Sequence, residues 1–180
     1  MAIVLVVLVA LIGAACGKSP TEPTRSNPAA PTAVTATATR LSFTSDPTSF
    51  VGQGQSRTYT LQNATFRPLM GQAGGYLSVV VEPTDPSDKS LVWSAVMMAP
   101  VGRQLSPGTY TAGEVSFDAY WFNFGGGGRG CGSGTTATYT IHEIATSGDT
   151  LQRLRTSFTV YCGGSSKITG DIVILADPWR

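Results

Sequence analysis

Leu151-Gln152-Arg153-Leu154-Arg155-Thr156-Ser157-Phe158-Thr159-Val160-Tyr161-Cys162 is the stretch that decides the fold. Leu154, Phe158, Val160 and Cys162 fall on one side of an extended chain, and Arg153, Arg155, Ser157, Thr159 and Tyr161 on the other. That period of two belongs to a strand with one buried face, because successive side chains point to opposite sides of a pleated backbone. Before it, Ser147-Gly148-Asp149 turns the chain, and Thr136 to Ile144 alternates with Ala137, Tyr139 and Ile141 on one side. After it, Ile168 to Leu175 aligns Ile168, Ile172 and Ile174.

Further strands are expected at Leu41–Thr44, Ser56–Leu61, Tyr76–Glu82 (with Leu77, Val79 and Val81 on one face), Leu91–Met98, Thr109–Thr111 and Val115–Phe124. Leu91–Met98 is apolar on both faces and reads as central and buried. No helical period of useful length appears after Arg40. Turn signals between strands include Asp46-Pro47, Gly52-Gln53-Gly54, Pro83–Lys89 and Pro107-Gly108. About nine strands at this spacing predict an all-β, antiparallel β-sandwich over residues 40–180.

The chain has 180 residues, a formal net charge of +1, 13% charged residues, 21 glycines and 11 prolines. That balance excludes a nucleic-acid partner, which needs a strongly basic face. Ala2–Ile12 is apolar but too short to span a bilayer. It reads as the core of a signal segment over residues 1–15, and Gly13-Ala14-Ala15-Cys16 after it resembles a bacterial lipobox. Cys16 is then the lipidated residue and anchors the chain to a membrane. Residues 16–39, with Pro20, Pro23, Pro28, Pro31 and a Thr-rich run, read as a tether. At roughly 3 Å per residue it reaches up to about 70 Å. Gly17 after Cys16 points to the outer membrane or cell surface in general lipoprotein sorting.

With Cys16 lipidated, Cys131 and Cys162 remain as an even pair in an oxidising compartment, and a disulfide between them is expected. Closing a loop of about 30 residues stabilises by roughly 3 to 4 kcal/mol in the chain-entropy model. The competing reading is a zinc site with His142, but the spacing matches no close cysteine pair.

Four patterns bear on chemistry. Gly125-Gly126-Gly127-Gly128-Arg129-Gly130 satisfies G-x-G-x-x-G, but no helix follows to face a pyrophosphate, so it reads as a loop rich in left-handed residues. His142 is the single histidine and lacks a nucleophile elbow. Glu82, Asp85 and Asp88 sit in one turn without the alternation of known calcium loops, and read as solvated. Tyr120-Trp121-Phe122-Asn123-Phe124 is the aromatic stretch: one face must be core, and the other can present a ring for stacking. Tyr120, Trp121, Phe122 and Arg129 are therefore the candidate ligand-binding residues, while Arg153 and Arg155 read as solvated.

Ser45-Asp46-Pro47, Phe50-Val51-Gly52-Gln53-Gly54-Gln55-Ser56, Thr58-Tyr59-Thr60, Leu105-Ser106-Pro107-Gly108-Thr109-Tyr110, Gly128-Arg129-Gly130-Cys131, Phe158 followed by Cys162, and Gly170 near the end form a further pattern. It resembles a β-rich domain family without assigned activity found in secreted and surface proteins of bacteria. The resemblance covers nearly all of residues 41–175. It implies the same Cys131–Cys162 pairing and the same extracytoplasmic address.

The expected function is that of a non-enzymatic envelope lipoprotein, a binding or structural surface module without catalytic residues, cofactor or metal, whose partner is a cell-envelope glycan or protein. The alternatives are a carbohydrate-binding module using aromatics near Trp121, and a secreted hydrolase with an unrecognised site.

Overall fold

The computed structural model describes residues 38–71, 74–88, 91–113, 118–131 and 135–175. The signal segment, Cys16, nearly all of the tether and Phe117 lie outside them. Among the described residues there are eleven strands: β1 (Arg40–Ser45), β2 (Ser56–Thr60), β3 (Ala64–Met70), β4 (Tyr76–Pro83), β5 (Trp93–Met98), β6 (Gly108–Ala112), β7 (Trp121–Gly126), β8 (Arg129–Gly130), β9 (Thr135–Ser147), β10 (Thr150–Cys162) and β11 (Lys167–Leu175). They form a six-stranded sheet, β2-β1-β11-β10-β9-β6, packed on a five-stranded sheet, β3-β4-β5-β7-β8. All pairs are antiparallel. The protein is thus an antiparallel β-sandwich, as its periodicity predicts, with a disulfide joining Cys131 and Cys162.

Two strands beyond the expected nine are β3 and β8. β3 escapes sequence reading because Pro68 interrupts it. A proline has no N–H for a ladder, which confines it to sheet edges, and β3 is an edge strand. β8 is only two residues long, the return arm of a hairpin inside the glycine run. Gly127 and Gly128 have φ of 61° and 73°, the pair of left-handed residues that a tight two-residue hairpin demands. The run is therefore a strand, a turn and a strand, with no dinucleotide-binding geometry.

β10 buries Leu154, Thr156, Phe158 and Val160, and a register shift between Leu151 and Arg153 lets Leu151 face inward as well. The core between the sheets is aromatic. Trp93 lies 4.3 Å from Phe43 and 5.5 Å from Phe124. Phe122 lies 5.1 Å from both Tyr139 and Phe158. Trp93 Nε1 donates to the Tyr59 hydroxyl at 3.1 Å, so the indole N–H is satisfied inside the core. Gly170 allows β1, β10 and β11 to close up: a Cβ there would stand 2.5 Å from the Ser42 carbonyl oxygen and 2.6 Å from the Phe158 ring.

The reading of Leu91–Met98 as a strand buried on both faces is corrected. β5 begins at Trp93, and only Trp93, Ala95 and Met97 face the core. Val96 and Met98 are half-buried on the outer side, and Val92 is exposed. A sandwich covers one face of each sheet, so apolar residues on the other face must have another reason to be there.

Candidate functional site

The two outer faces differ in chemistry. On the six-stranded sheet, the strand register aligns Thr58, Ser42, Asp171, Ser157, Thr140 and Thr109 in one row across all six strands. Ser56, Thr44, Thr169, Thr159, Thr138 and Thr111 form the next row. These hydroxyls partner each other: Ser42 with Thr58 at 3.2 Å, Ser56 with Thr44 at 3.2 Å, and Thr109 with Thr140 at 2.9 Å. Arg40 holds Asp171 at 2.8 Å. A shallow depression of about 370 Å³ lies over Ser42, Thr58 and Asp171 on this polar face.

The five-stranded sheet presents Tyr76, Met98 and Trp121 in one outer row, on β4, β5 and β7. The next row holds Leu69, Ser78, Val96 and Asn123, and the one after it Arg67, Val80, Ser94 and Gly125. Tyr76, Met98, Trp121, Val96 and Val80 are half-buried, and Leu69 is exposed. Tyr76 lies directly against Gly71, where an added Cβ would come within 2.8 Å of the Tyr76 Cβ. Asn123 has a buried side-chain Oδ1 with no hydrogen-bond partner among the described residues. A buried amide acceptor left unpaired is costly and calls for an explanation. The charges on this face, Arg67 and Glu82, pair with each other at 2.8 Å.

The four candidate residues do not form one surface. Phe122 is fully buried and belongs to the core, so the expectation that it meets a ligand is corrected. The alternation that turns Trp121 outward necessarily turns Phe122 inward. Tyr120 is half-buried, its ring tilted against that of Tyr110 with centroids 4.2 Å apart. Arg129, on β8, lies over the exposed Phe50 ring at 5.9 Å, a cation–π contact that ties the β7–β8 hairpin to the β1–β2 loop. Trp121 alone stays on the outer face, and its row partners Tyr76 and Met98 went unnoticed as binding residues in the sequence. The signal was present: if Leu77, Val79 and Val81 point inward, Tyr76 must point out. What was missing is the register that sets Tyr76 and Trp121 in one row.

Other candidates resolve individually. His142 is exposed on β9, with Nε2 at 2.9 Å from the Ser157 hydroxyl. Asp171, across the ladder from Ser157, is held by Arg40, and Glu143 is held by Arg153 at 3.1 Å. A serine nucleophile needs a base backed by an acid and donors for an oxyanion. β10 is paired on both sides, so its backbone N–H groups are committed to the sheet. Asp85 accepts bonds from the Ser87 hydroxyl at 2.7 Å and the Ser87 N–H at 2.8 Å, which hold its carboxyl below the ordinary aspartate value. Asp88 pairs with Arg57 at 3.2 Å. Among the described residues no three His, Cys, Asp or Glu side chains gather to hold a metal.

The Ser45–Ser56 segment is a structural clasp. The Asp46 carbonyl accepts the N–H groups of Ser49 and Gly54, each at 3.0 Å, and the Asp46 carboxylate accepts the Lys167 N–H at 3.0 Å. A second concavity, about 330 Å³, has Met70, Leu105 and Ile144 in its wall and Gln104, Thr146 and Asp149 beside them. Its volume is at the small end for a ligand pocket.

Fold and surface together define the class: a disulfide-closed antiparallel β-sandwich with one hydroxyl-covered face and one apolar, aromatic face. No protein-family model matches the chain, and no curated protein or solved structure matches it either.

Proposed function

We propose that the protein is a non-catalytic binding module of the bacterial cell envelope, exported, anchored by lipid on Cys16 and held off the membrane by its Pro/Thr-rich tether. The apolar run ending in Gly13-Ala14-Ala15-Cys16, and the resemblance to a domain of secreted and surface proteins, support the address. The contact surface is the outer face of the five-stranded sheet. One observation carries that choice: the opposite sheet's outer face is lined with hydroxyls, several of them bonded to one another, whereas this face lines up the half-buried side chains of Trp121, Met98 and Tyr76 in one row. Contiguous exposed apolar surface marks interaction sites more often than chance. The hydrolase reading has less support, because His142 is exposed beside Ser157 and no acid among the described residues is seen bonding its imidazole.

The test has two arms. Labelled palmitate should enter the wild-type chain and not Cys16→Ser, and the wild type alone should fractionate with membranes. Purified wild-type chain should also bind isolated cell envelopes, and Trp121→Ala should weaken that binding while Thr138→Ala, on the opposite sheet, should not. Equal binding by all three would remove the face assignment.

A further inference from the structure

Resting on that face assignment, we infer that the Tyr76–Met98–Trp121 row is a stacking platform for a neutral, extended polysaccharide chain laid across β4, β5 and β7. Tyr76 and Trp121 sit two strands apart in one row, about 10 Å at the usual strand spacing. That is close to the span of a disaccharide in an extended β-linked chain, so successive sugar faces meet the two rings with Met98 between them. The axial C–H faces of a pyranose are apolar and stack on aromatic rings, while its rim of hydroxyls needs uncharged donors and acceptors.

The neighbouring row supplies those. Asn123 and Ser78 flank the platform, and the Asn123 Oδ1 acceptor has no partner within the described protein. That oxygen is buried, so a ligand hydroxyl bonds it only once the Asn123 side chain turns outward, a turn that breaks no existing hydrogen bond at Oδ1. Charge points the same way: Arg67 and Glu82 neutralise each other at the edge, which selects a neutral glycan over an anionic one. Size argues against a folded partner. Three rows over four strands cover about 15 Å by 14 Å, or about 200 Å². A stable protein interface needs about 800 Å² from each side, so a second copy of this chain would not be held by this patch.

The experiment is retention of the full chain on insoluble cellulose, chitin and β-1,3-glucan, with calorimetric titration of the matching hexasaccharides. The wild type should bind at least one of them. Trp121→Ala and Tyr76→Ala should each lose about tenfold in affinity, the loss expected when one stacked ring is removed. Asn123→Ala should weaken binding less, and Thr138→Ala should match the wild type. Unfolding midpoints measured beside each variant separate lost contact from lost fold. Retention that survives both aromatic substitutions, binding only to anionic polysaccharide, or no binding to any neutral glycan overturns the inference. If envelope binding depends on Trp121 while every neutral glycan is silent, the face assignment stands and the glycan falls. If neither depends on Trp121, both fall.

Discussion

Two buried tyrosines should respond in opposite directions to the same substitution. Tyr59 and Tyr139 are 3% and 1% exposed. The Tyr59 hydroxyl accepts a hydrogen bond from Trp93 Nε1 at 3.1 Å, whereas the Tyr139 hydroxyl has no partner among the described residues. Tyr59→Phe strands a buried indole N–H, at a cost of about 1 to 3 kcal/mol. Tyr139→Phe removes a buried polar atom that gains nothing in return, and should stabilise by about 1 kcal/mol. At about 3 °C per kcal/mol, the midpoints should move apart by roughly 6 to 12 °C.

Burial raises both phenols above their ordinary pKa, for Tyr139 strongly, with Tyr110 and Tyr120 adding to it. At Tyr59 the bond from Trp93 opposes the rise. A raised folded-state pKa means the unfolded chain releases these protons first. The phenols' contribution is therefore fully present below about pH 10, and is lost as pH climbs toward the folded values. Alkaline stability should fall above about pH 10, and in Tyr139→Phe the slope should be shallower by up to about 1.4 kcal/mol per pH unit. Urea unfolding of wild type and both variants, with the disulfide intact, at pH 7 and at pH 10 to 11, measures all of this. A Tyr139→Phe protein destabilised as much as Tyr59→Phe would refute the reasoning, because it would mean that the Tyr139 hydroxyl is bonded after all.

Replacing Cys131 and Cys162 together with serine opens a loop of 31 residues and should cost about 3 to 4 kcal/mol, read as a drop in midpoint that reductant reproduces in the wild type. Gly170→Ala should cost about 1 to 3 kcal/mol by overpacking, since its Cβ meets the Ser42 backbone as well as the Phe158 ring; an unchanged midpoint would show that β1 and β11 can part freely. Arg129→Ala should cost under about 1 kcal/mol, because its contact with Phe50 is exposed, and Phe50→Ala should cost about the same with little additional loss in the double variant.

The amino-acid sequence by itself determined the class of fold and much of its core. Leu154, Phe158 and Val160 are inward on β10 because apolar residues at every second position cannot all be buried in any other regular conformation. The disulfide was legible too, since reading Cys16 as a lipidation site leaves Cys131 and Cys162 with one pairing open to them. Tertiary structure decided what alternation leaves open. Periodicity says that Val96 and Met98 share a face, but not whether a second layer covers it. Only the stacking of two sheets shows that Trp93, Ala95 and Met97 took the core. β3 was hidden because Pro68 is tolerated only at an edge, and which strand becomes an edge is a property of the assembled sheet. The row of Tyr76, Met98 and Trp121 spans 45 residues of chain and exists only through the pairing of β4 with β5 and of β5 with β7. Alternation is a local consequence of the pleat, while a surface is built from the registers of several strands, which no single stretch of sequence contains.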